Sequence, residues 1–235
     1  MALPPHTGEI VIVPSLPDVN VIMLDAKRFR LHRKMWTFYL ALDGMSGKPL
    51  AWTLLPRHEL RLGYDFILKH LKAQYPHIQA VVSDWHIGII SSVAEHLPQA
   101  VHQRCAFHVL QEVSRKLGGR WWHVTGYGRQ HWTIFRRIAL GFPTEQAARL
   151  YLGRMIRTYP QYTVAFRILR DSLSDIYRFS RCPKLDIPRT SNRIENFMGY
   201  LEQRFKVMRG IKTPLTLFQY INQLIIMKNK VPTNK

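Results

Sequence analysis

Apolar positions along the first part of the chain follow two rhythms. The runs "NVIMLDAKR" (20–28), "WTFYLALD" (36–43) and "PLAWTLL" (49–55) are rich in apolar residues, and "DGMSGK" between the last two supplies turn residues. That pattern predicts a meander of three antiparallel strands. Over 62–75, Leu62, Phe66, Ile67, Leu71 and Tyr75 fall at helical spacing. "IQAVVSD" (78–84) reads as a buried strand, "IGIISSVAEHL" (87–97) as a short helix, "QAVHQR" (99–104) as a fifth strand and "CAFHVLQEVSRKL" (105–117) as a third helix. From 118 to 188 the strand rhythm stops, and segments such as "PTEQAARLYLGRMIRTY" and "YTVAFRILRDSLSDIYRFS" read as amphipathic helices. Two more helices are predicted over 191–209 and 214–229, the first with Ile194, Phe197, Leu201, Phe205 and Met208 on its apolar face. The expected organisation is a lead-in over 1–19, marked by Pro4, Pro5, Pro14 and Pro17, an α/β core over 20–117, a helical insertion over 118–188, and closing helices of the core over 189–235.

Charge changes the picture. The chain of 235 residues has 34 Lys and Arg against 15 Asp and Glu, a formal net charge of +19. Such a field favours a polyanion, with nucleic acid the first candidate, and makes binding steeply salt-dependent. The basic residues are spread along the chain, so no amphipathic membrane-surface segment is predicted. No apolar run has the length of a membrane span, and "MALPPHTGEIVIVP" lacks the pattern of a signal peptide. Cys105 and Cys182 are too few for a disulfide framework. The expected location is cytoplasmic.

Few acids in so basic a chain invite inspection one at a time. Asp25 follows "VIML" and Asp84 follows "AVVS", each at the end of an apolar strand. A carboxylate there is costly to desolvate unless a cation compensates it, and hard divalent cations take carboxylate oxygens. The competing reading is an ordinary turn Asp. If the first and fourth strands are parallel neighbours, both acids reach the same C-terminal sheet edge, where open α/β sheets place their sites. Asp43 also ends an apolar strand, but an antiparallel one beside "DG", and reads as a turn residue. In "RTSNRIENF", Asn192 and Glu195 have the spacing of a capping box, so Glu195 reads either as part of a helix cap or as a third metal-binding acid.

"LDAKRFRL", "VVSDWHIGIISSV", "HQRCAFHVLQEV" and "TSNRIENFMGYLEQRFKVMRGI", in this order, resemble the bacterial insertion-sequence transposases grouped with Mutator-like elements. The resemblance implies a DDE transposase of bacterial origin, located at the nucleoid. Its implied fold is a ribonuclease-H-like mixed five-stranded sheet flanked by helices, with an all-helical insertion before the last catalytic helix. It carries the family's catalytic and metal-binding triad onto Asp25, Asp84 and Glu195, with two Mg²⁺ ions as cofactor and Mn²⁺ as a substitute. DNA is the implied partner, at element ends and target, bound by a homodimer or higher oligomer. The alternatives are a non-catalytic DNA-binding derivative of a transposase and a structure-selective nuclease of the same fold. Two departures stand out: Trp85 follows the second Asp where a small residue such as Gly is common, and only the proline-rich 1–19 stretch lies where relatives carry a DNA-binding region.

Other residues carry weaker signals. Cys105 and His108 share a helix face and match the family's Cys-x-x-His; packing with a hydrogen bond or phosphate contact is favoured over zinc, because even with His102 no fourth ligand is evident. Glu202, two turns after Glu195, is the alternative third acid. The stretch 115–137 interleaves Arg120 and Arg129 with Trp121, Trp122, Tyr127 and Trp132, either a DNA surface on which bases stack or the core of the insertion. Behind Glu195, Arg204, Lys206, Arg209 and Lys212 are expected to track phosphates.

Overall fold

The computed structural model describes residues 11–12, 18–31, 34–56, 59–119, 127–207 and 213–230. Among them run strands β1 (Val11–Ile12), β2 (Val21–Leu31), β3 (Lys34–Asp43), β4 (Pro49–Pro56), β5 (Ala80–Ser83) and β6 (Val101–Arg104). The helices are α1 (Arg61–Gln74), α2 (Ile87–His96), α3 (Ala106–Lys116), α4 (Tyr127–Leu140), α5 (Glu145–Thr158), α6 (Thr163–Ile176), α7 (Asn192–Val207) and α8 (Pro214–Lys230). No helix among the described residues is long and apolar enough to cross a membrane. The chain forms two compact units, Met1–Ala100 with Ser191–Lys235, and Val101–Thr190.

In the first unit the strand order is β1-β4-β3-β2-β5. β2, β3 and β4 form the antiparallel meander, and β5 joins β2 in parallel with Met23 opposite Val82. This is the mixed α/β sheet, an antiparallel meander with a parallel strand beside β2, that the sequence pattern predicts. Alternation along β2 explains its two faces. Ile22 and Leu24, with Tyr39, Ala41 and Val81, pack against Tyr64, Ile67, Leu68 and Leu71 of α1 and Ile89 and Val93 of α2. α7 lies against β2 and β3, and α8 against β4, where Trp52 and Phe218 meet at 4.7 Å between ring centroids. Asp43 is the turn residue its sequence suggests, its carboxylate accepting from Ser46.

Two expectations need correction. The buried stripe of α1 is Gly63, Tyr64, Ile67, Leu68 and Leu71, while Leu62 is 48% exposed. Gly63 sets this rotation, because a Cβ there would come within 2.4 Å of the Tyr39 ring. Asp25 does not end its strand either, since β2 continues to Leu31 and pairs with β3 throughout. It is β5 that stops, at Ser83. Beyond Asp25, the β2–β3 hairpin runs on past the end of its parallel neighbour.

In the second unit α3, α4, α5 and α6 share one core, including Val109, Leu110 and Val113, Phe135 and Ile138, Leu152, and Phe166, Leu169 and Leu173. Gln103 ties β6 into this unit, its amide donating to the Ile176 carbonyl (2.7 Å) and its oxygen accepting from the Phe179 amide (2.9 Å).

Candidate functional site

The parallel register of β2 and β5 carries the site. Continued two residues from the Met23–Val82 pair, it sets Asp25 level with Asp84, and neighbouring strands lie about 4.8 Å apart. The two carboxylates therefore share one edge of the sheet. Asp25 accepts from the Ala26 amide at 2.8 Å and Asp84 from the His86 amide at 3.0 Å. Beside them lies a group the sequence did not single out. The hydroxyl of Tyr64 donates to Glu59, and its pKa is pushed far up, first by burial, then by the charge of Glu59 and its hydrogen bond, and then by Asp25 and Asp84. Three carboxylates thus act on one buried phenol. His86 Nδ1 stands 3.2 Å from Glu59 and 3.2 Å from the Gly88 amide. Unprotonated it caps α2, and protonated it donates to Glu59; one nitrogen cannot do both at once. Tyr64 was not on the α1 stripe read from the sequence, and its meeting with Glu59, Asp25 and Asp84 is a tertiary event.

The turn after Asp84 is strained. Trp85 has φ of 73°, a left-handed conformation that Gly adopts freely and that costs a bulky residue about 1–2 kcal/mol. Ser83 Oγ accepts from its amide at 3.3 Å, and together with the Asp84–His86 bond this holds the turn. The small residue common at this position in the resembling transposases has a physical basis here. Trp85→Gly and Trp85→Ala remove the same indole and differ only in backbone tolerance. The Gly variant is expected to be the more stable by about 1 kcal/mol, roughly 2–4 °C in Tm, and equal melting curves would show that the turn relaxes at no cost.

Glu195 lies in the first turn of α7. Asn192 does not cap this helix; it is the first helical residue, and the carboxylate of Glu195 accepts from the hydroxyl of buried Ser191 at 2.7 Å. Arg193 donates to the Gly44 carbonyl, and the Gly44 amide donates to Val21, so α7 begins beside the start of β2. Further on, Glu202 pairs with Lys27 at 3.2 Å and Phe205 meets Phe29 at 5.3 Å. Helix and strand therefore run side by side in the same direction. Glu195 is two turns before Glu202, about 10.5 Å, which along β2 is about three residues back from Lys27, level with Leu24 and Asp25. Glu202, the alternative third acid, is engaged by Lys27.

The remaining residues singled out from the sequence fall as follows. Arg204 is exposed, its guanidinium 5.5 Å from the Tyr200 ring centroid. The side chains of Lys206 and Arg129, and residues Arg209, Lys212, Arg120, Trp121 and Trp122, lie outside what the structure describes. Trp132 packs against the core of the second unit. Cys105 is fully buried at the position preceding α3, and His108 is half-buried in its first turn. His102 is buried, and burial, with the nearby Arg178, lowers its pKa to about 4, so it is neutral at pH 7.

Comparison with known proteins places this geometry in context. Residues 56–224, well over half the chain, match the family model described as "Transposase, Mutator family". The matched segment includes Asp84 and Glu195 and begins after Asp25. No curated protein sequence matches. Among solved structures, a chain of the cryo-EM structure of the simian T-cell lymphotropic virus intasome in complex with PP2A regulatory subunit B56 gamma is similar at 13% identity and a TM-score of 0.31. That similarity covers 59% of this chain and 55% of the viral one.

Proposed function

The chain belongs to the Mutator family of transposases, and on that premise we propose that it cuts DNA at the ends of a mobile element and joins the freed ends to target DNA. Asp25, Asp84 and Glu195 are the acids assigned to this chemistry. The observation that carries the reading is the parallel register that sets Asp25 level with Asp84, on an edge where Glu59 adds a third carboxylate around Tyr64. Carboxylates gathered in this way repel one another and are reconciled by hard divalent cations. The donor set is all oxygen, which suits Mg²⁺, with Mn²⁺ as a substitute. Asp25, Asp84 and Glu195 would hold the ions. When bound, the pair supplies charge neutralisation at phosphorus and an acidified attacking water.

In the first step a water oxygen bonds to the phosphorus and the bond from phosphorus to the 3′ oxygen breaks; the departing oxygen takes up a proton to become the 3′ hydroxyl, and the remaining water proton is released to solvent from the new 5′ phosphate. In the second, the freed 3′ hydroxyl attacks a phosphorus of target DNA and another 3′ oxygen departs. The first step is a hydrolysis and the second exchanges one phosphodiester for another, so neither needs energy from a nucleotide, and direct attack by water or by the 3′ hydroxyl requires no covalent protein intermediate. Ser191, hydrogen-bonded to Glu195, keeps that carboxylate in one orientation. Arg204 and its basic neighbours bind the phosphate backbone leading away from the acids. DNA is the partner, and two element ends imply a dimer or larger assembly on it.

The test is incubation of the full chain with a labelled duplex carrying the inverted repeat that flanks its coding region. Cleavage leaving a 3′ hydroxyl is expected with Mg²⁺ or Mn²⁺ and is lost with EDTA. Binding of that duplex without cleavage under any divalent condition would favour the non-catalytic alternative.

A further inference from the structure

The same strand that carries Asp25 goes on to form one wall of a cavity that the proposed chemistry does not use. It has a volume of about 230 Å³, and its lining includes Lys27 and Phe29 of β2, Phe38 of β3, and Leu201, Glu202 and Phe205 of α7. Phe38 and Leu201 are buried and make an apolar floor. Phe29 and Phe205, each half-buried, meet with ring centroids 5.3 Å apart and ring planes tilted by 59°. At the rim, Lys27 and Glu202 form an ion pair in which both side chains are more than two-fifths exposed. An ion pair so exposed contributes little to stability and opens readily. Arg28, Arg30 and Lys34 are exposed on the same hairpin, beyond the point where β5 ends.

We propose, building on the transposase reading, that this cavity receives one unstacked base of the DNA strand that passes Asp25. Three features select that occupant. The rings provide a stacking surface that any base can use. Beside the Lys27–Glu202 pair, Arg28 also lines the cavity and leaves an excess of positive charge there, in a chain of net charge +19, which favours a group carrying its own phosphate over an apolar side chain. Finally, Asp25, Lys27 and Phe29 alternate onto one face of β2, and Lys27 stands about 6.6 Å beyond Asp25, the span of about two nucleotides in a stacked strand. On binding, Lys27 turns from Glu202 to the phosphate. The carboxylate of Glu202 then accepts a hydrogen bond from an exocyclic amine, so cytosine or adenine is preferred to thymine.

The experiment compares a forked duplex with a fully paired duplex of the same sequence, the fork carrying 2-aminopurine in its single-stranded arm, both titrated in EDTA. Wild type is expected to bind the fork about tenfold more tightly than the duplex and to quench the 2-aminopurine, as stacking of one base allows. Phe29→Leu and Phe205→Leu keep an apolar side chain at half-buried positions, and a melting curve of each variant checks that it folds. Each is expected to lose the fork preference while binding the paired duplex within about twofold of wild type. Glu202→Gln should equalise arms that carry cytosine and thymine. Equal affinity of wild type for fork and duplex, or a preference unchanged in both Leu variants, would overturn the proposal. Its failure is separable from that of the catalytic reading, because the titration involves no cleavage. A protein that cuts DNA without fork preference refutes the base cavity alone, whereas one that prefers forks but never cuts refutes the transposase chemistry alone.

Discussion

Asp25→Asn is expected to lower Mg²⁺-dependent strand cleavage by about a thousandfold or more, equivalent to roughly 4 kcal/mol of barrier, while leaving DNA affinity equal to or slightly above that of wild type. The substitution keeps the shape of the side chain and the acceptor that meets the Ala26 amide. It removes one charge from an edge where three carboxylates act on Tyr64. Relief of their repulsion should leave the melting temperature without metal unchanged or raised. The position is informative because it precedes the segment matched to the family, so its assignment rests on its register with Asp84. A folded Asp25→Asn protein that cuts at the wild-type rate would remove Asp25 from the site.

The second large effect concerns salt. With 34 Lys and Arg against 15 Asp and Glu, binding to duplex DNA should be driven mainly by counterion release. For six to ten phosphates neutralised, affinity falls by about 10³ to 10⁵ between 50 and 200 mM salt. Fluorescence anisotropy over that range measures the slope directly. Asp25→Asn should give the same slope, since the acids take no part in neutralising phosphate. A nearly flat salt dependence would mean that base contacts, and not the basic surface, dominate affinity.

The architecture was largely legible because its signals are local. Near-continuous apolar runs marked β3, β4 and β5, and helical spacing marked α1, α2, α3 and the long helices that follow. Asp43 could be set aside from its "DG" neighbour alone, and it does sit in a turn bonded to Ser46. The errors arose where tertiary contacts decided. The face of α1 turned because Gly63 lets the helix close onto Tyr39, which no periodicity records. Asp25 looked like a strand end because the apolar run "VIML" stops there, yet residues 27–31 still pair with β3 as a hairpin without β5 beside them. At α7 the sequence offered Asn192 as a cap for Glu195, but the helix starts at Asn192 itself and Ser191 supplies the bond. Glu59 carried no signal at all, because its importance lies in meeting Tyr64 and His86, which requires the fold.

The central claim is that Glu195 completes the acidic site and is not merely a helix-end residue, and one substitution separates these roles. Glu195→Gln keeps the length of the side chain and an oxygen that can accept from Ser191, so a purely structural Glu195 would tolerate it at a cost of at most about 1 kcal/mol. A Glu195 that holds metal would not, because an anionic ligand is lost. The measurement is the rate at which Glu195→Gln and wild type cleave the same labelled element-end duplex in Mg²⁺, alongside melting curves of both proteins without metal. The expected result is cleavage slower by about a thousandfold or more with a melting temperature unchanged or slightly raised. Cleavage at the wild-type rate by a folded Glu195→Gln protein would contradict the assignment.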